Sequence, residues 1–147
     1  RIPHTATLIE PCDLFINNAQ TGYAQTELLY EIWSRWRAKE KYIWNISTTM
    51  TGIPVNTKPD GQNDIVMSQY RNQKLALEDA SRQLSFKNSL PKISIIKPGA
   101  VDTQNGANEK KCNLEEWVEA IINFFSHKKN FHISAISLGY NSHPIEL

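Results

Sequence analysis

Apolar residues fall into four short runs, separated by segments in which they recur at helical spacing. Leu14, Phe15 and Ile16 form a continuous run between Asp13 and Asn17, the pattern of a strand covered on both faces of a parallel sheet. Leu29, Ile32, Trp33 and Trp36 then repeat at helical intervals, with Leu28 beside them and Thr26 as the expected cap. Tyr42–Ile46 reads as a second strand. A long helix follows over residues 65–86, its apolar side marked by Ala76, Leu77, Ala80 and Leu84. Ile93, Ile95 and Ile96 give a third strand. Leu114, Trp117, Val118, Ile121, Ile122 and Phe125 trace another helical stripe, opened by Asn113 and Glu116 at capping-box spacing. Residues 131–138 close the series as a fourth strand. Two polar stretches, 50–64 and 104–112, read as loops, and residues 1–12 receive no element. Strands alternating with helices predict one α/β domain over residues 1–147, a parallel sheet joined by right-handed crossovers.

Composition narrows the functional classes. A net charge of +1 supplies no field for nucleic acid or an anionic membrane. Lys110-Lys111 and Lys128-Lys129 are short pairs suited to solvated loop and helix ends. No apolar run approaches 18 residues, so no membrane span is expected. Cys12 and Cys112 make no disulfide framework, which suits a reducing, cytoplasmic setting. His4, His127, His132 and His143 show no metal-ligand spacing, and no metal site is expected.

Candidate chemistry begins with Tyr70 and Lys74. Residues i and i+4 on a helix lie one turn apart on the same face, and a cation there favours the phenolate. Such a pair suits proton exchange with a carbonyl or alcohol oxygen, although a surface Tyr–Lys contact has the same spacing. Ser47 and Thr48 end the second strand with hydroxyls. Adjacent strand residues face opposite ways, so the two are not expected to share one task; the alternative is that both hydroxyls cap the strand end. Asn17, Asn18 and Ala19 end the first strand. Pro98-Gly99-Ala100-Val101-Asp102-Thr103 ends the third in a Pro-Gly turn.

In this order, the motifs resemble the short-chain dehydrogenase/reductase family, and the resemblance covers residues 13 to about 140. It implies a Rossmann-like, doubly wound three-layer α/β/α sheet, seen here as its C-terminal half. It also implies interconversion of a carbonyl and an alcohol with NAD or NADP, on a small-molecule substrate, in a homodimer or homotetramer. By the same resemblance Tyr70 is the general acid/base. Lys74 assists it and binds the cofactor ribose. Thr48 holds the substrate oxygen, with Ser47 as the alternative. Asn17, Asn18 and Ala19 line the cofactor or brace the central strands, and Pro98, Gly99, Val101 and Thr103 place the nicotinamide.

Four departures stand beside this. Gln20 replaces the family's glycine after Asn-Asn-Ala, and the helix between Thr26 and Lys39 lacks the family's asparagine. Thr48 and Tyr70 are 22 residues apart, further than the family's usual separation. The six glycines, at 22, 52, 61, 99, 106 and 139, form no Gly-x-Gly-x-x-Gly cluster for a pyrophosphate. Two expectations follow. Either the sequence is part of a longer chain that carries the phosphate loop, or it is a half-domain that covers its open edge with another chain. The competing functional reading is a non-catalytic relative serving as a binding or assembly module. An α/β-hydrolase is disfavoured by the lack of a Gly-x-Ser-x-Gly elbow.

Overall fold

The computed structural model describes residues 1–52, 62–99, 101–102, 112–126 and 132–138. Its main sheet has four parallel strands, β1 (Leu14–Asn17), β2 (Tyr42–Ile46), β3 (Lys92–Pro98) and β6 (Ala135–Leu138), in the order β1-β2-β3-β6. Registers run from Leu14 opposite Tyr42, through Tyr42 opposite Lys92, to Ile95 opposite Ala135. Two short strands, β4 (Val101–Asp102) and β5 (Cys112–Asn113), pair in a separate ribbon. The helices are α1 (Ile2–Ile9), α2 (Ala24–Arg35), α3 (Gln62–Lys87) and α4 (Leu114–Ser126), and a 3₁₀ turn spans Thr49–Gly52.

Alternation along the strands separates two faces. Phe15, Ile43 and Ile93 pack into a core with Leu28, Leu29, Ile32 and Trp36 of the α2 segment and Leu77, Ala80 and Leu84 of α3. On the opposite face, Ile16, Trp44, Ile46 and Ile96 meet α4, whose Phe125 ring lies 4.4 Å from that of Trp44. Helices thus cover both faces of the parallel sheet in a three-layer α/β/α arrangement.

The expected crossovers need correction. β1, β2, β3 and β6 advance in one direction across the sheet, yet α2 and α3 lie on one face and α4 on the other. The β3–α4–β6 connection therefore has the opposite hand to the first two, against the usual uniform handedness. What holds α4 there is its own stripe, which finds Trp44 and Ile46 as partners. Ile121 is its buried anchor.

The N-terminal residues also differ from expectation. Residues 2–9 form α1, which packs on α2 through Ala6, with Ile2 and Ile9 alongside. Its end is fastened by hydrogen bonds: Trp36 Nε1 and Lys41 Nζ both donate to the Glu10 carbonyl, at 3.1 and 2.9 Å. Arg35 adds an ion pair to Glu10 at 3.1 Å.

Smaller revisions concern element ends. The α2 cap position is Tyr23, and Thr26 lies inside the helix. β6 begins at Ala135, later than the sequence predicted, and Phe131 lies outside the described residues. The Asn113 cap is formed as expected: its Oδ1 accepts from the amides of Glu115 at 2.8 Å and Glu116 at 3.3 Å. Most of the two predicted loops (53–61 and 103–111) lies outside the described residues.

Candidate functional site

The C-terminal ends of β1, β2 and β3 lie side by side, where parallel α/β sheets present their ligand sites. Asn17 ends β1 almost wholly buried. Its Nδ2 donates to Asn45 Oδ1 at 2.9 Å and to the Gln25 carbonyl at 3.0 Å. Asn45 Nδ2 in turn donates to Ser81 Oγ on α3 at 2.9 Å. These bonds form a polar chain from β1 through β2 to α3. Asn17 Oδ1 is buried with no partner among the described residues. Asn18 and Ala19 are exposed.

Lys74 sits on α3 with only 3% of its surface exposed. Its Nζ donates to the Ile46 carbonyl at 2.7 Å and to Gln25 Oε1 at 2.9 Å. Burial lowers its pKa to about 8, because a dry surrounding disfavours the ammonium. The Tyr70 ring centroid is 5.8 Å from Nζ, with the tyrosine half-buried. Lys74 therefore links Tyr70 to the end of β2, two residues before Thr48.

The two hydroxyls at that strand end have different surroundings. Ser47 Oγ donates to Glu78 Oε1 at 2.6 Å, which commits it to the interior. Thr48 Oγ1 accepts only a long 3.3 Å bond from the Met50 amide among the described contacts. Arg71 clasps the following turn by donating to the carbonyls of Met50 at 3.3 Å and Thr51 at 3.0 Å.

On the other face an apolar groove of about 340 Å³ runs between the sheet and α4. Ile16, Trp44, Ile96 and Trp117 line it, together with Asn18 and Pro98 from the ends of β1 and β3. Gly99 is held by its amide, which donates to the Leu138 carbonyl at 2.8 Å. Val101 lies in β4, while Thr103 and Ala100 lie outside the described residues. The described residues contain no group of three or more His, Cys, Asp or Glu able to hold a metal ion, and no helix long and apolar enough to cross a membrane.

No protein-family model matches the sequence, and no curated protein shows significant similarity to it. Solved structures do match in fold. An alcohol dehydrogenase from Thermococcus sibiricus, complexed with 5-hydroxy-NADP, superposes with a TM-score of 0.74 at 15% identity, covering 99% of this chain and 72% of that one. A short-chain dehydrogenase/reductase from Vibrio parahaemolyticus gives 0.70 at 15% identity, over 94% and 73%. One from Burkholderia cenocepacia, in complex with NADP, gives 0.71 at 12% identity, over 96% and 65%. The chain has the short-chain dehydrogenase/reductase fold.

Within this fold, two residues overlooked in the sequence stand beside Lys74. Gln25, in the first turn of α2, is buried; its Nε2 donates to the carbonyls of Asn17 and Ile46, while its Oε1 accepts from Lys74. It provides a side-chain amide next to the lysine from a helix that lacks asparagine. Glu78, one turn after Lys74, is 1% exposed and gathers Ser47, Thr51, Arg82 and Lys97. Burial acts to raise its pKa, but bonds from Lys97, Ser47 and Thr51 and the Lys97 charge outweigh that, and the carboxyl lies below its ordinary value. The i+4 step from Lys74 to Glu78 was visible in the sequence, but its distant partners were not.

Proposed function

We propose that this chain carries the proton-handling and nicotinamide-facing part of an NAD(P)-dependent oxidoreductase that interconverts a small carbonyl compound and its alcohol. The observation that carries the reading is Lys74, a buried ammonium one turn from Tyr70 and bonded to the end of β2. An ammonium has three donors, and two are used by Ile46 and Gln25. The third suits a ribose hydroxyl. Asn18 and Pro98 share one groove, and with Ala19, Gly99, Val101 and Thr103 they would hold the nicotinamide end. The bound cofactor supplies or accepts the hydride.

The protein's own residues manage the proton and the geometry. Tyr70 gives its phenolic proton to the carbonyl oxygen in reduction and takes it back in oxidation. Lys74 keeps its charge 5.8 Å from the Tyr70 ring and ties the tyrosine's helix to the end of β2. Thr48, whose hydroxyl has fewer commitments than that of Ser47, holds the substrate oxygen. Solved structures of the same fold include complexes with 5-hydroxy-NADP and NADP, and this supports the choice of cofactor class.

A second reading is a non-catalytic module of the same fold. The observation favouring it is that Gln25 and Ile46 already engage the Lys74 ammonium. Fluorescence titration of the natural protein with NADH and NADPH, followed by turnover on a panel of ketones and alcohols, separates the two. Saturable binding with turnover supports the oxidoreductase; no binding of either nucleotide decides for the module.

A further inference from the structure

Glu78 bridges the two strand ends to which the proposed chemistry is assigned. Its Oε1 accepts from Ser47 Oγ at 2.6 Å and lies 2.7 Å from Thr51 Oγ1. These residues flank Thr48. Thr51 Oγ1 also lies 2.9 Å from the Thr48 carbonyl, so its single hydrogen serves the carboxylate or that carbonyl in turn. The other carboxylate oxygen, Oε2, receives Lys97 Nζ at 2.6 Å and Arg82 at 3.0 Å. Lys97 immediately precedes Pro98-Gly99, and its Nζ also donates to Thr51 Oγ1 at 3.2 Å. A carboxylate in a dry interior is costly unless such donors surround it. Glu78 is surrounded by them: Ser47, Thr51 and Lys97 come from the two strand ends beside the candidate site, and Arg82 from its own helix.

We infer that Glu78 is a positioning residue, one oxygen setting the Ser47–Thr51 segment around Thr48 and the other setting Lys97 and hence the Pro98-Gly99 turn. This rests on the oxidoreductase reading above. The two halves of the carboxylate then control different quantities. The hydroxyl half governs how well Thr48 meets the substrate oxygen, and so kcat. The cation half governs the Pro98-Gly99 turn, and so cofactor affinity.

The test uses near-isosteric variants of the natural full-length protein. Ser47→Ala with Thr51→Val removes the hydroxyl half. Glu78→Gln places an amide against Lys97 and deprives a part-buried cation of its carboxylate, so it is combined with Lys97→Met to remove that charge. A misplaced reacting group costs up to about a hundredfold in rate. The expected results are a fall in kcat of about tenfold or more for the first variant, and about tenfold weaker NADPH binding for the second. In the first, Lys97 loses only its 3.2 Å bond to Thr51, keeps the 2.6 Å pair with Glu78 and so leaves NADPH affinity unchanged. Thermal melting is followed throughout, because a purely structural carboxylate predicts that the Glu78→Gln/Lys97→Met protein recovers stability and cofactor affinity together. Recovery of both, or wild-type kcat in the Ser47/Thr51 variant, overturns the inference while wild-type turnover leaves the oxidoreductase reading standing. A wild-type protein that neither binds NADPH nor turns over removes that reading, and this role with it.

Discussion

Gln25 Oε1 lies 2.9 Å from Lys74 Nζ, joining the first turn of α2 to the middle of α3 across 49 residues of sequence. The amide supplies one of two acceptors to a buried ammonium. Gln25→Ala removes it and leaves the cation under-satisfied, so unfolding in urea should show a loss of about 1–3 kcal/mol. Gln25→Glu should instead raise the Lys74 pKa, because an adjacent carboxylate favours the charged form. NMR titration of the lysine side chain checks the direction.

Tyr70→Phe removes one oxygen from a half-buried ring and no hydrogen bond found among the described residues. Turnover should be abolished while NADPH affinity and the melting temperature stay near wild type. Steady-state assays beside cofactor titration read both, and wild-type-like turnover would sink the assigned proton transfer.

Thr48→Val tests the hydroxyl against its neighbour. The substitution gives up only the long bond from Met50, so stability should change by less than about 1 kcal/mol. The rate should nevertheless fall roughly tenfold to ten-thousandfold if the hydroxyl meets the reacting oxygen, the range of single-group contributions to proton and oxyanion chemistry. Ser47→Ala should show the reverse emphasis in stability, since it deprives buried Glu78 of a donor.

Stability should also depend on pH through Lys74. Its folded-state pKa of about 8 lies below its ordinary value of 10.5. Between those values the unfolded chain binds the additional proton, so stability rises as pH increases from about 8 to 10.5. The span is worth on the order of 3 kcal/mol. Comparing wild type with Lys74→Met by urea unfolding at pH 8 and pH 10 isolates it, and the variant should lack that rise.

Much of the scaffold was legible because local rules and tertiary packing agree. The run Leu14–Ile16, the stripe of α4 and the Asn113 cap each follow from neighbouring residues. α1 escaped notice because residues 2–9 offer only Ile2, Ala6 and Ile9 as an apolar side, and the buried member is an alanine. The opposite-handed crossover was invisible for a different reason. It depends on which sheet face α4 selects, and Trp44 and Ile46 decide that from about seventy residues earlier in the chain. At the site, the spacing of Tyr70 and Lys74 was readable. Gln25 was not legible because its partners, the carbonyls of Asn17 and Ile46 and the Lys74 ammonium, come from three other elements. Glu78 was overlooked because a charged residue on a helix ordinarily faces water.

The Asn17–Asn45–Ser81 chain binds three distant positions into one unit of inheritance. A leucine at 45 would leave the Asn17 amide with the Gln25 carbonyl alone and remove Ser81's incoming donor together, so a lineage passing through that change would carry a lasting defect. Exchange of all three for apolar residues of fitting volume would not. Descendants of this sequence should therefore keep the trio entire or replace it as a set.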